Sequence, residues 1–197
     1  MMVHLKIKTL KSDTMRVTII TLVSFLVLNA QSFGQDVMVD KNGVAHFFSS
    51  APLEDIEAVN EKAIGAIDLK KGTVAVSMLI KNFHFEKSLM EEHFNENYLE
   101  SEKYPKASFK GTIQNLSEID FDSPGTYKAM AEGDLNIHGV TKPLVSEVEF
   151  QVSDDSIVAT TKFSIEIKDH KIKIPKLVIK NIAEVVDVDA TFNFSKE

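Results

Sequence analysis

Residues 133–143 read Gly133, Asp134, Leu135, Asn136, Ile137, His138, Gly139, Val140, Thr141, Lys142, Pro143, and combine a strand ending, a tight turn and a strand restart. Leading into them, Tyr127, Ala129, Ala131, Gly133, Leu135 and Ile137 share one face of an extended run. Lys128, Met130, Glu132, Asp134 and Asn136 share the other, which is the period-2 alternation of a half-buried strand. Gly139 supplies the backbone freedom for the reversal, and Pro143 falls where the next strand is expected to begin, a position that tolerates a missing N–H. The stretch is a β-hairpin signal.

Working outward, the same alternation predicts eight strands: Gly43 to Ala51, Ile56 to Leu69, Thr73 to Phe83, Ala107 to Asn115, Gly125 to His138, Leu144 to Val152, Ser156 to Ile167 and Glu184 to Phe194. In the last of them Val186, Val188, Ala190, Phe192 and Phe194 face one way and Asp187, Asp189, Thr191 and Asn193 the other, so one face is wet. Between the third and fourth strands the period changes. Met90, Phe94 and Tyr98 stand four apart, with Ser88 as N-cap and Glu91 three residues on, which predicts a short amphipathic helix. Lys168 to Ala183, with Pro175, reads as a long connection holding a short extended piece around Leu177 to Ile179. Alternation alone leaves a barrel and a sandwich open, because both use it.

The first 34 residues read as a signal peptide. Lys6, Lys8, Lys11 and Arg16 precede an uncharged apolar run from Val17 to Leu28, and Ser32 and Gly34 place small residues before a cleavage point after Gly34. Translation from Met15 instead of Met1 would give a more compact leader, and the start stays open between them. The apolar run is shorter than the roughly 20 residues of a bilayer span, so no stable membrane insertion is expected. Residues 35–197 then form a single domain of 163 residues with 18 basic and 28 acidic side chains, net −10 against −7 for the whole chain. That balance argues against nucleic acid and anionic lipid surfaces as partners. The chain has no cysteine, hence no lipoprotein attachment and no disulfide, and an exported domain must rest on its core. Composition leaves the oligomeric state open, a homodimer among the options.

The turn motif GDLNIHGVTKP, together with KYPKASFKG over residues 103–111, resembles the YceI family, and the resemblance runs from roughly Val37 to Phe194. What it implies is an all-β fold, an eight-stranded antiparallel up-and-down lipocalin-like barrel with a short helix covering one mouth. It further implies a periplasmic or secreted protein that holds a long apolar molecule, typically a polyisoprenoid, with no cofactor. The chain departs from the common pattern at Asp40 to Phe47, where many relatives place a His-Ser pair, and at Asp169 to Pro175, where many carry an Arg and a Phe-Gly or Tyr-Gly motif. Both regions are expected at the barrel mouth, where they bear on which ligand is held.

Inward faces mix small residues such as Ala63, Gly65, Ala107, Gly111 and Ala159 with large ones. Composition leaves a hollow and a tightly filled barrel open. Under the hollow reading Val76, Met78, Ile80, Phe109, Tyr127, Ala129, Ala131, Leu135, Phe150, Phe163, Val188 and Phe192 line the lumen, and His138 at the strand end meets a ligand headgroup or, alternatively, bonds nearby backbone. No nucleophile elbow, zincin helix or phosphate loop is present. His84 and His93 flank the helix without a third metal ligand, so no metal site is expected. Lys168, Lys171, Lys173, Lys176 and Lys180 form a basic run that reads as a solvated loop. Three functions follow: a binding protein for a polyisoprenoid, quinone, fatty acid or fatty amide, which is preferred; a non-catalytic interaction or stress protein with a filled barrel; and an enzyme using His138 or His93 as base on an apolar substrate.

Overall fold

The computed structural model describes residues 37–50, 54–174 and 183–196. The expected signal peptide, the extended piece around Leu177 to Ile179, and Lys176 and Lys180 lie outside the described residues. Nine strands occur among those described: β1 (Val37–Ser50), β2 (Asp55–Asp68), β3 (Thr73–Leu79), β4 (His84–Phe85), β5 (Lys106–Ile113), β6 (Gly125–Ile137), β7 (Val140–Val152), β8 (Ser156–Glu166) and β9 (Val185–Ser195). A short helix, α1 (Ser88–His93), continues as a wider turn through Tyr98.

Every pairing is antiparallel, β3 skips the short β4 to pair with β5, and β1 pairs with β9 on one side and β2 on the other, so the sheet closes into a barrel. Eight positions around the barrel are filled, with β4 as an extra strand. The expected Thr73 to Phe83 strand is broken by a 3₁₀ turn at Ile80–Asn82, after which the chain pairs again with β2 as β4. At the break the Asn60 amide donates to Leu79 O at 2.9 Å, which replaces lost ladder bonds with a side chain.

Three boundaries differ from expectation for physical reasons. β1 begins at Val37 and not at Gly43, because the chain continues through a β-bulge at Asp40, Lys41 and Asn42. Asp40 accepts from Asn42 N and from Asn193 N, both at 2.8 Å, so its carboxylate stands in for backbone partners. β7 begins directly after the turn, which puts Pro143 inside the strand, opposite Asp134. In helix α1 Lys87 holds the N-cap position without a side-chain capping bond, so Ser88 is already in the helix and is not the N-cap; Glu91 accepts from Phe85 N at 3.2 Å.

The β6–β7 turn is as read, with His138 at φ 53° and Gly139 at φ 70°. A Cβ on Gly139 would also stand 2.6 Å from the Tyr104 ring, so the turn motif and the Tyr-Pro motif interlock here. The main core gathers where β6 starts and β7 ends: Ala129, Phe150, Val152, Ile157 and Phe194 are buried there together with Ile113 and Ile119. Phe121 from the β5–β6 connection meets Phe150 edge-on at 5.5 Å and closes that end of the barrel.

Candidate functional site: the barrel cavity

Above that floor the barrel is hollow. A cavity of about 370 Å³ runs from the level of Ile113, Phe150 and Phe194 to the end capped by α1. Its walls come from every long strand, because the inward files of the alternation converge on it. Phe47, Val76, Met78, Phe109, Phe163, Ile165 and Val188 point inward and still keep accessible surface, which they could not do in a close-packed core. Two glycines widen the wall where it matters. A Cβ on Gly43 or Gly65 would lie 2.3 or 2.5 Å from the Phe192 ring, so their bareness lets that ring lie flat against the strands.

Of the twelve lumen positions read from sequence, Val76, Met78, Ile80, Phe109, Ala131, Leu135, Phe150, Phe163, Val188 and Phe192 line the cavity. Tyr127 and Ala129 do not. They face inward as the alternation requires, but they lie below the floor, where Tyr127 donates to Ser123 O at 3.1 Å and Ala129 is packed into the core. Alternation reports which face a residue occupies and is silent on its depth.

His138 is also absent from the lining. Its Nδ1 donates to His170 O at 3.0 Å, its Nε2 lies 2.8 Å from Glu100 Oε2, and the Tyr104 ring stands 4.4 Å away. Both ring nitrogens are therefore engaged by the protein. This contact chiefly, with Lys103 and Lys173 adding, holds the Glu100 carboxyl below the usual carboxylate range. Of the two regions that depart from the family pattern, Asp40 lies toward the closed end beside Asn193, whereas Ile172 and Ile174 line the cavity at its open half.

Sequence reasoning missed the aromatic cluster at the mouth. Phe47, Phe83, Phe85 and Phe94 come from β1, the break after β3, β4 and the end of α1, with ring centroids 5.0–5.7 Å apart. The four phenylalanines were visible in the sequence, but their meeting depends on barrel closure. Among the described residues, polar groups at this end are few. Tyr98 lines the cavity with burial raising its phenol above the ordinary value, and His93 and Glu54 stand at the rim. His84 faces Glu91 at 3.5 Å, and no group of three metal-ligating side chains occurs among the described residues. No described helix is long and apolar enough to cross a membrane.

The fold has solved counterparts. A polyisoprenoid binding domain from Saccharophagus degradans, implicated in plant cell wall breakdown, superposes with a TM-score of 0.71 at 13% identity, over 83% of this chain and 100% of that one. BcnA of Burkholderia cenocepacia gives 0.64 at 15% identity over 77% and 95%. A Campylobacter jejuni YceI protein gives 0.54 at 17% over 69% and 81%. At such identities the likeness concerns the fold. No curated protein matched the sequence. Residues 28–194 match the family model of the YceI-like domain.

Proposed function

Because this chain belongs to the YceI-like family, we propose that it is a binding protein that holds one long apolar molecule, a polyisoprenoid, quinone, fatty acid or fatty amide, in the barrel cavity. The observation that carries this reading is the accessible apolar surface inside the walls. Residues such as Phe47, Phe109, Phe163 and Val188 leave apolar area uncovered, and covering it with hydrocarbon is worth about 25 cal/mol per Å². The cavity is concave and apolar and falls within the roughly 300–1,000 Å³ range of small-molecule sites. The polyisoprenoid-binding counterpart from Saccharophagus degradans supports the same choice. The contacts we assign to the ligand are the ten cavity-lining positions named above, with Phe150 at the floor meeting the end of the apolar molecule. Binding requires no reaction, and the protein is proposed to act without catalysis.

We also propose that the protein is exported and works in the periplasm or outside the cell, its mature chain starting at Gln35. The leader-like pattern of Lys6 to Gly34 supports this. Intact mass of protein recovered from the periplasm or medium tests it, and full-length precursor held in membranes overturns it.

For binding, purified protein is extracted with organic solvent for mass spectrometry and titrated with a fluorescent polyene. Saturable binding at one site, with a co-purified lipid, is expected. Failure of the polyene to bind, with no extracted lipid after expression in lipid-rich cells, overturns the reading in favour of an interaction protein.

A further inference from the structure

The joint between β7 and β8 is open over the half of the barrel that holds the cavity. The ladder runs from Val152↔Ile157 to Val148↔Thr161 and stops there. Beyond it, Val140–Glu147 of β7 and Lys162–Glu166 of β8 have no ladder partner in each other. The flanking joints β6–β7 and β8–β9 stay paired to their last residues. At the apex of this seam side chains take over from backbone. Ser146 Oγ lies 2.7 Å from Thr161 Oγ1 and 3.1 Å from Lys162 O, and Thr161 Oγ1 donates to Glu147 O at 2.8 Å.

Both edges of the seam face the cavity, with Leu144 and Ser146 on one side and Thr161, Phe163 and Ile165 on the other. The chain leaving β8 crosses toward the start of β7 as a 3₁₀ turn, Ile167–His170, and Ile167, Ile172 and Ile174 from this segment complete the cavity wall. Among the described residues few bonds tie it to the barrel: Ile167 N donates to Glu184 O at 3.0 Å where it leaves β8, His170 Nδ1 donates to Val140 O at 3.2 Å, and His138 Nδ1 donates to His170 O. Each such bond contributes only about 1 kcal/mol net, far less than a strand ladder. The alternative way in, past α1, is filled by the interlocked rings of Phe47, Phe83, Phe85 and Phe94 on the β1, β2 and β4 side of the mouth.

We propose that the apolar chain enters and leaves sideways through the β7–β8 seam, and that residues 167–174 are the flap that covers it, fastened by His170 and His138. This rests on the binding reading above. It also gives the buried His138 a role that needs no free ring nitrogen, since its Nδ1 proton is what ties the flap to the β6–β7 turn.

The chain has no cysteine, so within one molecule Ser146→Cys and Thr161→Cys can pair only with each other, and their hydroxyl oxygens lie 2.7 Å apart against about 2.05 Å for an S–S bond. Stopped-flow mixing of a fluorescent polyene with the oxidised and reduced forms of this one protein should show association and dissociation slowed about tenfold or more by the crosslink, recovering on reduction. Conversely, His170→Ala should raise both rates several-fold by freeing the flap. Rates equal in the oxidised and reduced forms, with binding intact, overturn the portal and leave the binding reading standing. A wild-type protein that neither binds the polyene nor yields an extracted lipid overturns both.

Discussion

At the end where β6 begins, Ala129, Val152, Ile157 and Phe194 are buried and the β5–β6 connection inserts Ile119 and Phe121 between the strands. At the end where β6 finishes, the same alternating faces present Met78, Ile137, Phe163 and Val188, and none of these is fully buried. Residue types differ little between the two ends. What differs is the covering: a connection that packs inward below, and above it a helix segment that buries Ile80, Leu99 and Ala107 at the rim and, with a 3₁₀ turn, bridges the open space beneath. A barrel of eight strands has an interior just large enough for either outcome, so the connections decide which half is core and which is site.

Several measurements would break or sharpen that contrast. The largest effect is expected at the floor. Phe150→Ala removes a ring that is 1% exposed and meets Phe121 edge-on, and should cost about 3–5 kcal/mol in denaturant unfolding. Phe163→Ala, on the cavity wall, should cost clearly less, because part of its surface already faces open space. Equal losses would mean that the upper half is packed like the lower.

A finer probe uses neighbouring inward positions on β6. Ala129 lies below the floor and Ala131 lines the cavity. Ala129→Trp should overpack the core and cost roughly 1–3 kcal/mol or more. Ala131→Trp should cost less and instead block polyene binding, since its indole projects into the space the ligand takes. Thermal unfolding and titration of the two variants side by side place the floor between them, or show that it lies elsewhere.

At the turn that fastens the open end, Gly139→Ala forces a side chain into positive φ and against Tyr104, and should cost on the order of 1–2 kcal/mol with the melting temperature lowered to match. The smallest effect belongs to the outer wall, between the two ends. His46 lies 2.9 Å from Asp189 and 3.4 Å from Glu57, and the Asp189 hydrogen bond chiefly raises its pKa above 6.5 against the opposing effect of burial. A raised pKa means the contribution is complete below about pH 6.5 and is lost as pH rises through the folded value. His46→Gln should therefore flatten the fall in stability between about pH 6 and pH 8 by a few tenths of a kcal/mol. A steeper fall in the variant would contradict the sign.

Much of this was legible in the chain. The alternation from Tyr127 to Ile137 and the Gly139 turn set the hairpin and its inward face, and the spacing of Met90, Phe94 and Tyr98 put a helix beside the mouth with those three side chains turned to the cavity. The bulge at Asp40 was not legible, because a polar triplet reads as a turn until its partner, Asn193, is known to lie across from it. Nor was the depth of Tyr127 and Ala129.

The sequence by itself determined that this chain forms a set of antiparallel strands with one apolar face, since period-2 patterning and turn residues act locally. Only the tertiary structure decided where the barrel is filled, where it is hollow and where its wall parts. Those outcomes depend on residues over a hundred positions apart, such as Asp40 with Asn193, and on Phe47 reaching Phe94 or His138 reaching His170. No local pattern encodes such meetings, because they exist only once β1 has closed on β9.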